Sequence, residues 1–115
     1  MTLIYAYRNR GITRDIVIND GDGNPITVGV NDKIRAIIGR EGQTPLLTVD
    51  ATPTAAGSVF AKNSPTDGTN RLRLDATDLG SLAAGVYSLY VDYYDNADAQ
   101  EWKNVDRQVI CIEES

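Results

Sequence analysis

The chain has 115 residues, 11 Lys and Arg against 16 Asp and Glu for a formal net charge of −5, 42% apolar residues, one Cys and no His. A chain of this size buries roughly two-thirds of its unfolded surface, enough for one core without disulfide or metal staples, so a single soluble domain is expected. The missing His removes the commonest general base and metal ligand, and with them Ser-His-Asp, Cys-His and most zinc chemistry, while an acidic chain without a basic run is ill suited to neutralising phosphates.

Short alternating runs of apolar and polar residues, broken every 8 to 12 residues by Gly, Pro, Asn and Asp, predict an all-β protein. The first run, residues 3–7, follows no basic n-region and opens no apolar stretch of signal-peptide or membrane-span length, so folding in a cytoplasm and no membrane association are expected. Residues 1–12 read as an N-terminal arm or edge strand, dispensable for folding, and residues 13–115 as the sandwich. A strand over 14–19 leads into Asp20-Gly21-Asp22-Gly23-Asn24-Pro25. The alternate Asp20, Asp22 and Asn24 open like a calcium loop. However, Pro25 stands where an EF-hand needs Gly and Asn31 where it needs a bidentate Glu, so a hairpin turn is preferred and no metal is assigned.

Further strands are expected over 26–29, 33–40, 46–50, 58–61 and 71–75, joined by turns at Arg40-Glu41-Gly42 and Asn63-Ser64-Pro65-Thr66-Asp67-Gly68. One short helical turn, residues 77–83, capped by Thr77 or Asp78, carries Leu79 and Leu82 inward. Next comes Leu82-Ala83-Ala84-Gly85-Val86-Tyr87, a leucine, a glycine and a tyrosine opening a long strand over 86–94, which is the layout of a tyrosine corner. Leu82, Gly85 and Tyr87 are its structural residues. Tyr87, Leu89, Val91 and Tyr93 are expected in the core, with Leu89 where immunoglobulins place their second Cys. Val86, Ser88, Tyr90, Asp92 and Tyr94 are expected on the wet face. After the turn Asp95-Asn96-Ala97-Asp98, the chain closes on strands over 101–105 and 107–113. The fold expected is an immunoglobulin-like antiparallel β-sandwich without disulfide, of about seven to nine strands, with the lone Cys111 a buried hydrophobe.

The order of these motifs, from Gly29-Val30-Asn31-Asp32 through Leu72-Arg73-Leu74 and Leu82-Ala83-Ala84-Gly85-Val86-Tyr87 to a last hairpin, resembles small immunoglobulin-like domains of tailed-phage virion proteins over residues 13–113. The N-terminal domain of baseplate upper proteins and stand-alone modules encoded among head and tail genes are of this kind. The glycine-aspartate pair of that family is split here by Val30 and Asn31, and the baseplate proteins continue into further domains. Taken as a complete product, the chain is expected to be a capsid decoration or cement protein. The resemblance implies the phage major capsid protein or other virion proteins as partners, homo-oligomers or lattice-bound copies, and a location in the virion after assembly in the host cytoplasm. Alternatives are a tail or baseplate connector, or a carbohydrate-binding host-adhesion module using Trp102, Tyr93 and Tyr94.

The residues themselves suggest adhesion rather than catalysis. The pairs Glu113/Glu114 and Asp75/Asp78, and the run Asp92, Asp95 and Asp98, read as solvated charge, so no catalytic residue, cofactor or nucleic-acid partner is assigned. Every position of Val109-Ile110-Cys111-Ile112 is apolar, so both faces of that strand require cover, with Ile110 or Ile112 expected near a contact centre. Tyr90 and Tyr94 supply an aromatic stripe, and Leu3, Tyr5 and Tyr7 a third apolar strip beside the basic residues Arg8, Arg10 and Arg14.

Overall fold

The computed structural model describes residues 3–19, 22–26, 28–29, 31–62, 69–96 and 101–114. Eight strands and one helical turn follow one another as β1 (Leu3–Tyr7), β2 (Ile12–Val17), β3 (Lys33–Gly39), β4 (Leu47–Asp50), β5 (Val59–Ala61), β6 (Thr69–Leu74), α1 (Ala76–Gly80), β7 (Gly85–Tyr94) and β8 (Trp102–Glu113). They form a five-stranded sheet in the order β1-β8-β7-β3-β4 and a three-stranded sheet in the order β2-β6-β5. This is an all-β sandwich of immunoglobulin-like strand order: β2, β6 and β5 stand as B, E and D, and β4, β3, β7 and β8 as C′, C, F and G. The pairings are antiparallel except one. β1 runs parallel to β8, from Leu3 opposite Val109 to Tyr7 opposite Glu113.

Alternation builds the core between the sheets. Ile34, Ala36 and Ile38 of β3, Leu89 and Val91 of β7, and Ile110 and Ile112 of β8 point inward, at most 1% exposed, to meet Phe60, Leu72 and Leu74 of the smaller sheet. β6 alternates strictly, because Asn70, Leu72 and Leu74 are buried while Arg71 and Arg73 are exposed. The α1 turn closes one end of the core with Leu79 fully buried and Leu82 5% exposed. Its N-cap is Asp75, whose carboxylate accepts from the Thr77 N–H at 2.9 Å, rather than Thr77 or Asp78. Asp78 is drawn elsewhere: it accepts from Thr54 Oγ1 at 2.6 Å and Ser58 Oγ at 2.5 Å, and Ser58 Oγ in turn accepts from the Asp75 N–H at 2.7 Å. The Asp75/Asp78 pair thus pins the loop before β5 to the helical turn.

The tyrosine corner is formed. Tyr87 is 3% exposed and its hydroxyl donates to the Ala83 carbonyl at 2.5 Å. Gly85, two residues earlier, has φ +154°, where a side chain is strained, and an added Cβ would stand 3.2 Å from Arg40 Nη2. Arg40 lies over the Tyr87 ring at 4.5 Å, which completes the cover of this corner.

Three departures from the sequence reading have simple causes. Residues 101–105 and 107–113 are one strand, β8, because its register against β7 shifts by one: Val91 opposes Asp106 and Asp92 opposes Asn104, leaving Val105 as a bulge. Residues 26–29 form no strand among the described residues; Ile26 donates to Ile18 at 2.9 Å and packs with Val28 against the core. Residues 3–7 are an integral edge strand rather than a detachable arm, since Ile4 and Ala6 are buried at 3% and 1%. Asp20 and Gly21, the turn at 63–68 and Asp98 lie outside the described residues.

Candidate functional site

The outer face of the five-stranded sheet divides across its width. Register places Tyr5 of β1, Cys111 of β8 and Val86 of β7 in one row, and Leu3, Val109, Ser88 and Gly39 in the next. Leu3, Tyr5 and Val86 are about half exposed or more, at 49%, 56% and 60%, and Tyr7 at 39% continues the strip. One row further on, Arg107, Tyr90 and Ile37 stand side by side, all partly covered, with the Arg107 guanidinium over the Tyr90 ring and donating to Ser88 Oγ at 3.1 Å, the one cation within this half among the described residues. This half is an apolar, aromatic patch facing water.

The other half is polar and internally paired. Arg35 Nε donates to Asp92 Oδ2 at 2.9 Å, Asn104 Nδ2 donates to Asp92 Oδ1 at 3.1 Å, and the Arg35 guanidinium lies 4.0 Å over the Trp102 ring. Tyr94 packs 5.6 Å from Trp102 with Lys33 above it. Asp92 is 8% exposed, although its parity is that of the wet face: Arg35, itself stacked on Trp102, and Asn104 each bond one of its carboxylate oxygens. A cleft of about 450 Å³ beside Trp102 is lined by Asn31, Lys33, Asp50, Thr52 and Lys62.

Behind this half, Asp32 ties three segments together. It accepts from the Gly29 N–H at 2.8 Å, the Tyr93 hydroxyl at 2.8 Å and the Asn96 N–H at 3.0 Å. Burial works against the Asp32 charge, but the Asn96 and Gly29 amides, the Tyr93 hydroxyl and the Lys62 ammonium outweigh it and hold the carboxyl below its ordinary value. Burial, then the bond to Asp32 and the charges of Asp32 and Asp95, push the Tyr93 phenol up. The Gly29–Asp32 pair closes on itself a second time, since the Asp32 N–H donates back to the Gly29 carbonyl at 3.1 Å, while Val30 lies outside the described residues.

The residues singled out from sequence are brought together only in part. Leu3, Tyr5 and Tyr7 share one exposed strip. Ile110 and Ile112 are core residues, at 0% and 1% exposure, and cannot be contact residues; the parity of β8 turns Val109 and Cys111 outward instead. Cys111 is accordingly half-buried on the outer face and not in the core. Arg8 is spent on its own domain: Nε donates to the Leu82 carbonyl at 2.8 Å, Nη2 to the Gly80 carbonyl at 2.9 Å, and Nη1 pairs with Glu114 at 2.8 Å. Arg10 stacks over Tyr7 at 5.3 Å. Tyr90 lies under Arg107 and Tyr94 belongs to the polar half, so they form no common stripe. Tyr93 is 9% exposed and bonded to Asp32, which removes it from any sugar-stacking platform.

Val86 is the most exposed large hydrophobic among the described residues, and sequence reasoning places it on the wet face without singling it out. Its signal is an apolar residue directly before the corner tyrosine, on the parity opposite to the core. Among the described residues no group of three or more His, Cys, Asp or Glu is placed to hold a metal ion, and no helix is long and apolar enough to cross a membrane. No protein-family model matches this sequence, and no curated protein matches it either.

Proposed function

We propose that this chain is a non-enzymatic structural module of a phage virion, most simply a capsid decoration or cement protein, which docks on the major capsid protein lattice through the apolar half of its outer sheet face. The observation that carries the reading is the patch of Leu3, Tyr5, Tyr7 and Val86, exposed beside half-buried Val109 and Cys111 in a chain whose other sheet presents charged Arg71, Arg73 and Asp15. Contiguous apolar surface on one face of a small sandwich favours a protein partner. The resemblance of its motifs to virion domains favours a lattice as that partner.

The mechanism is adhesive. Covering roughly 300 Å² of apolar surface yields about 7 kcal/mol before the cost of association, so each contact is modest and repetition over a lattice multiplies it. Arg40, beside Gly85 at the border of the patch, has no carboxylate partner among the described residues, which favours an acidic rim on the partner. The alternative sites support catalysis poorly: Asp75 and Asp78 are committed to capping and loop bonds, and Asp32 to three donors. Mass spectrometry of purified virions of the encoding phage tests the assignment. Copies in a fixed ratio to the major capsid protein are expected; absence from the particle overturns it, and a ratio matching a tail protein moves the module to the tail.

A further inference from the structure

The sandwich has four edge strands, and three are guarded. β2 carries the exposed charges Arg14 and Asp15, β4 is four residues long with Pro45 just before it and Asp50 at its end, and β5 has three residues. β1 has no charge, no Pro and no bulge over Leu3-Ile4-Tyr5-Ala6-Tyr7.

Its backbone polarity is also open. The Arg8 N–H donates to the Glu113 carbonyl at 3.0 Å, so by strand alternation Ile4, Ala6 and Arg8 turn their backbone groups toward β8. Leu3, Tyr5 and Tyr7 turn theirs to the free side. There, among the described residues, only the Tyr7 carbonyl has a backbone partner, the Arg10 N–H at 3.2 Å. An N–H and a C=O of Tyr5, flanked by those of Leu3 and Tyr7, thus await a strand.

We propose that β1 pairs antiparallel with β1 of a second copy of this chain, about a two-fold axis through Tyr5, joining two five-stranded sheets into one of ten strands. In that register Tyr5 faces the partner's Tyr5 and Leu3 faces the partner's Tyr7, which places aromatic and aliphatic side chains opposite one another with no like charges in the strand. The ends are complementary as well. Arg10 follows the C-terminal end of β1 without a carboxylate partner among the described residues, whereas the cleft beside Leu3, about 360 Å³, is lined by Asp106, which no cation pairs among the described residues, and by Asp15, which Arg71 pairs at 3.2 Å. Antiparallel pairing sets each copy's Arg10 toward the other copy's Asp106. That complementarity selects a second copy over an unrelated strand.

Stable dimers bury about 800 Å² per partner, roughly one-eighth of this chain's 6376 Å². A five-residue strand about 17 Å long supplies less, so the free chain associates weakly, with Kd between about 10 μM and 1 mM. The proposal stands apart from the docking reading, because its test uses the purified chain alone.

Sedimentation velocity across that concentration range should show a monomer–dimer equilibrium, and Tyr5→Lys, which sets two ammonium groups against each other at the axis, should weaken dimerisation at least about tenfold while leaving the far-ultraviolet spectrum unchanged. Register is tested by oxidation in a Cys111→Ser background, since Cys111 is Tyr5's own neighbour on β8. Tyr5→Cys alone should cross-link into dimers, Leu3→Cys alone should not, and Leu3→Cys with Tyr7→Cys should. A chain monomeric to about 1 mM, a dimer indifferent to Tyr5→Lys, or cross-linking by Leu3→Cys alone as readily as by Tyr5→Cys overturns the proposal.

Discussion

Substituting Tyr87 separates the two contributions that hold the corner. Tyr87→Phe keeps the buried ring and its contact with the Arg40 guanidinium but deletes the bond to the Ala83 carbonyl, 2.5 Å long. Ala83 is exposed, so water satisfies its carbonyl in the variant, and the expected loss is about 1 kcal/mol. Tyr87→Ala also removes a ring that is 3% exposed, opposite Ile110 in the sheet, and should cost about 3 to 5 kcal/mol through lost burial and an unfilled cavity. Urea unfolding followed by tryptophan fluorescence measures both, provided that the denaturant slope is unchanged, which shows that the unfolded state is the same. Two equally mild losses, or two equally severe ones, would refute the division of the corner into a ring that packs and a hydroxyl that bonds.

The parity of β8, the burial of β1 and the bonds to Asp32 each fix a further outcome. Ile110→Lys puts a charge into a fully buried position and should prevent folding, while Val109→Lys on the outward parity should yield a folded chain by circular dichroism. Deleting residues 1–10 should lower stability by more than about 3 kcal/mol in urea melts, because it removes buried Ile4 and Ala6 and the Arg8 bonds to α1 and uncovers β8. Asp32 has its folded-state pKa below the unfolded value, so its contribution is present above the unfolded pKa of about 3.9 and is lost as pH falls through the lower folded value. Wild-type stability should therefore drop with acidification below about pH 4, and Asp32→Asn, less stable at neutral pH, should show a flatter dependence over that range.

The fold was legible in the sequence because its strands obey local rules. The alternation in Leu72-Arg73-Leu74 and the Gly85-Val86-Tyr87 start of β7 each specify a face without knowledge of neighbours. The last strand does not. With Val109, Ile110, Cys111 and Ile112 all apolar, either parity fits the core, and only the register against β7, which sets Ile110 opposite Tyr87, decides it. The bulge at Val105 is hidden for a related reason: it is a property of the pairing and not of either strand. The fate of the charged residues was legible least. Asp92 has the parity of a wet face, and its carboxylate is held by Arg35 and Asn104, residues far apart in sequence that the sheet brings to one spot. Likewise, Arg8 reads as part of a basic cluster until the chain folds back and presents it with the carbonyls of Gly80 and Leu82.

The proposed docking on a phage capsid by the apolar half of the outer face is tested most directly by binding of the purified chain to phage particles that lack it, measured by co-sedimentation. Val86→Glu places a charge at the most exposed apolar position of the patch, and Thr13→Glu places the same charge on the exposed face of the other sheet. Saturable binding by the wild type and by Thr13→Glu, with binding lost in a folded Val86→Glu, is the result predicted. Binding that Val86→Glu leaves intact, or that Thr13→Glu abolishes, would contradict the assignment of this face.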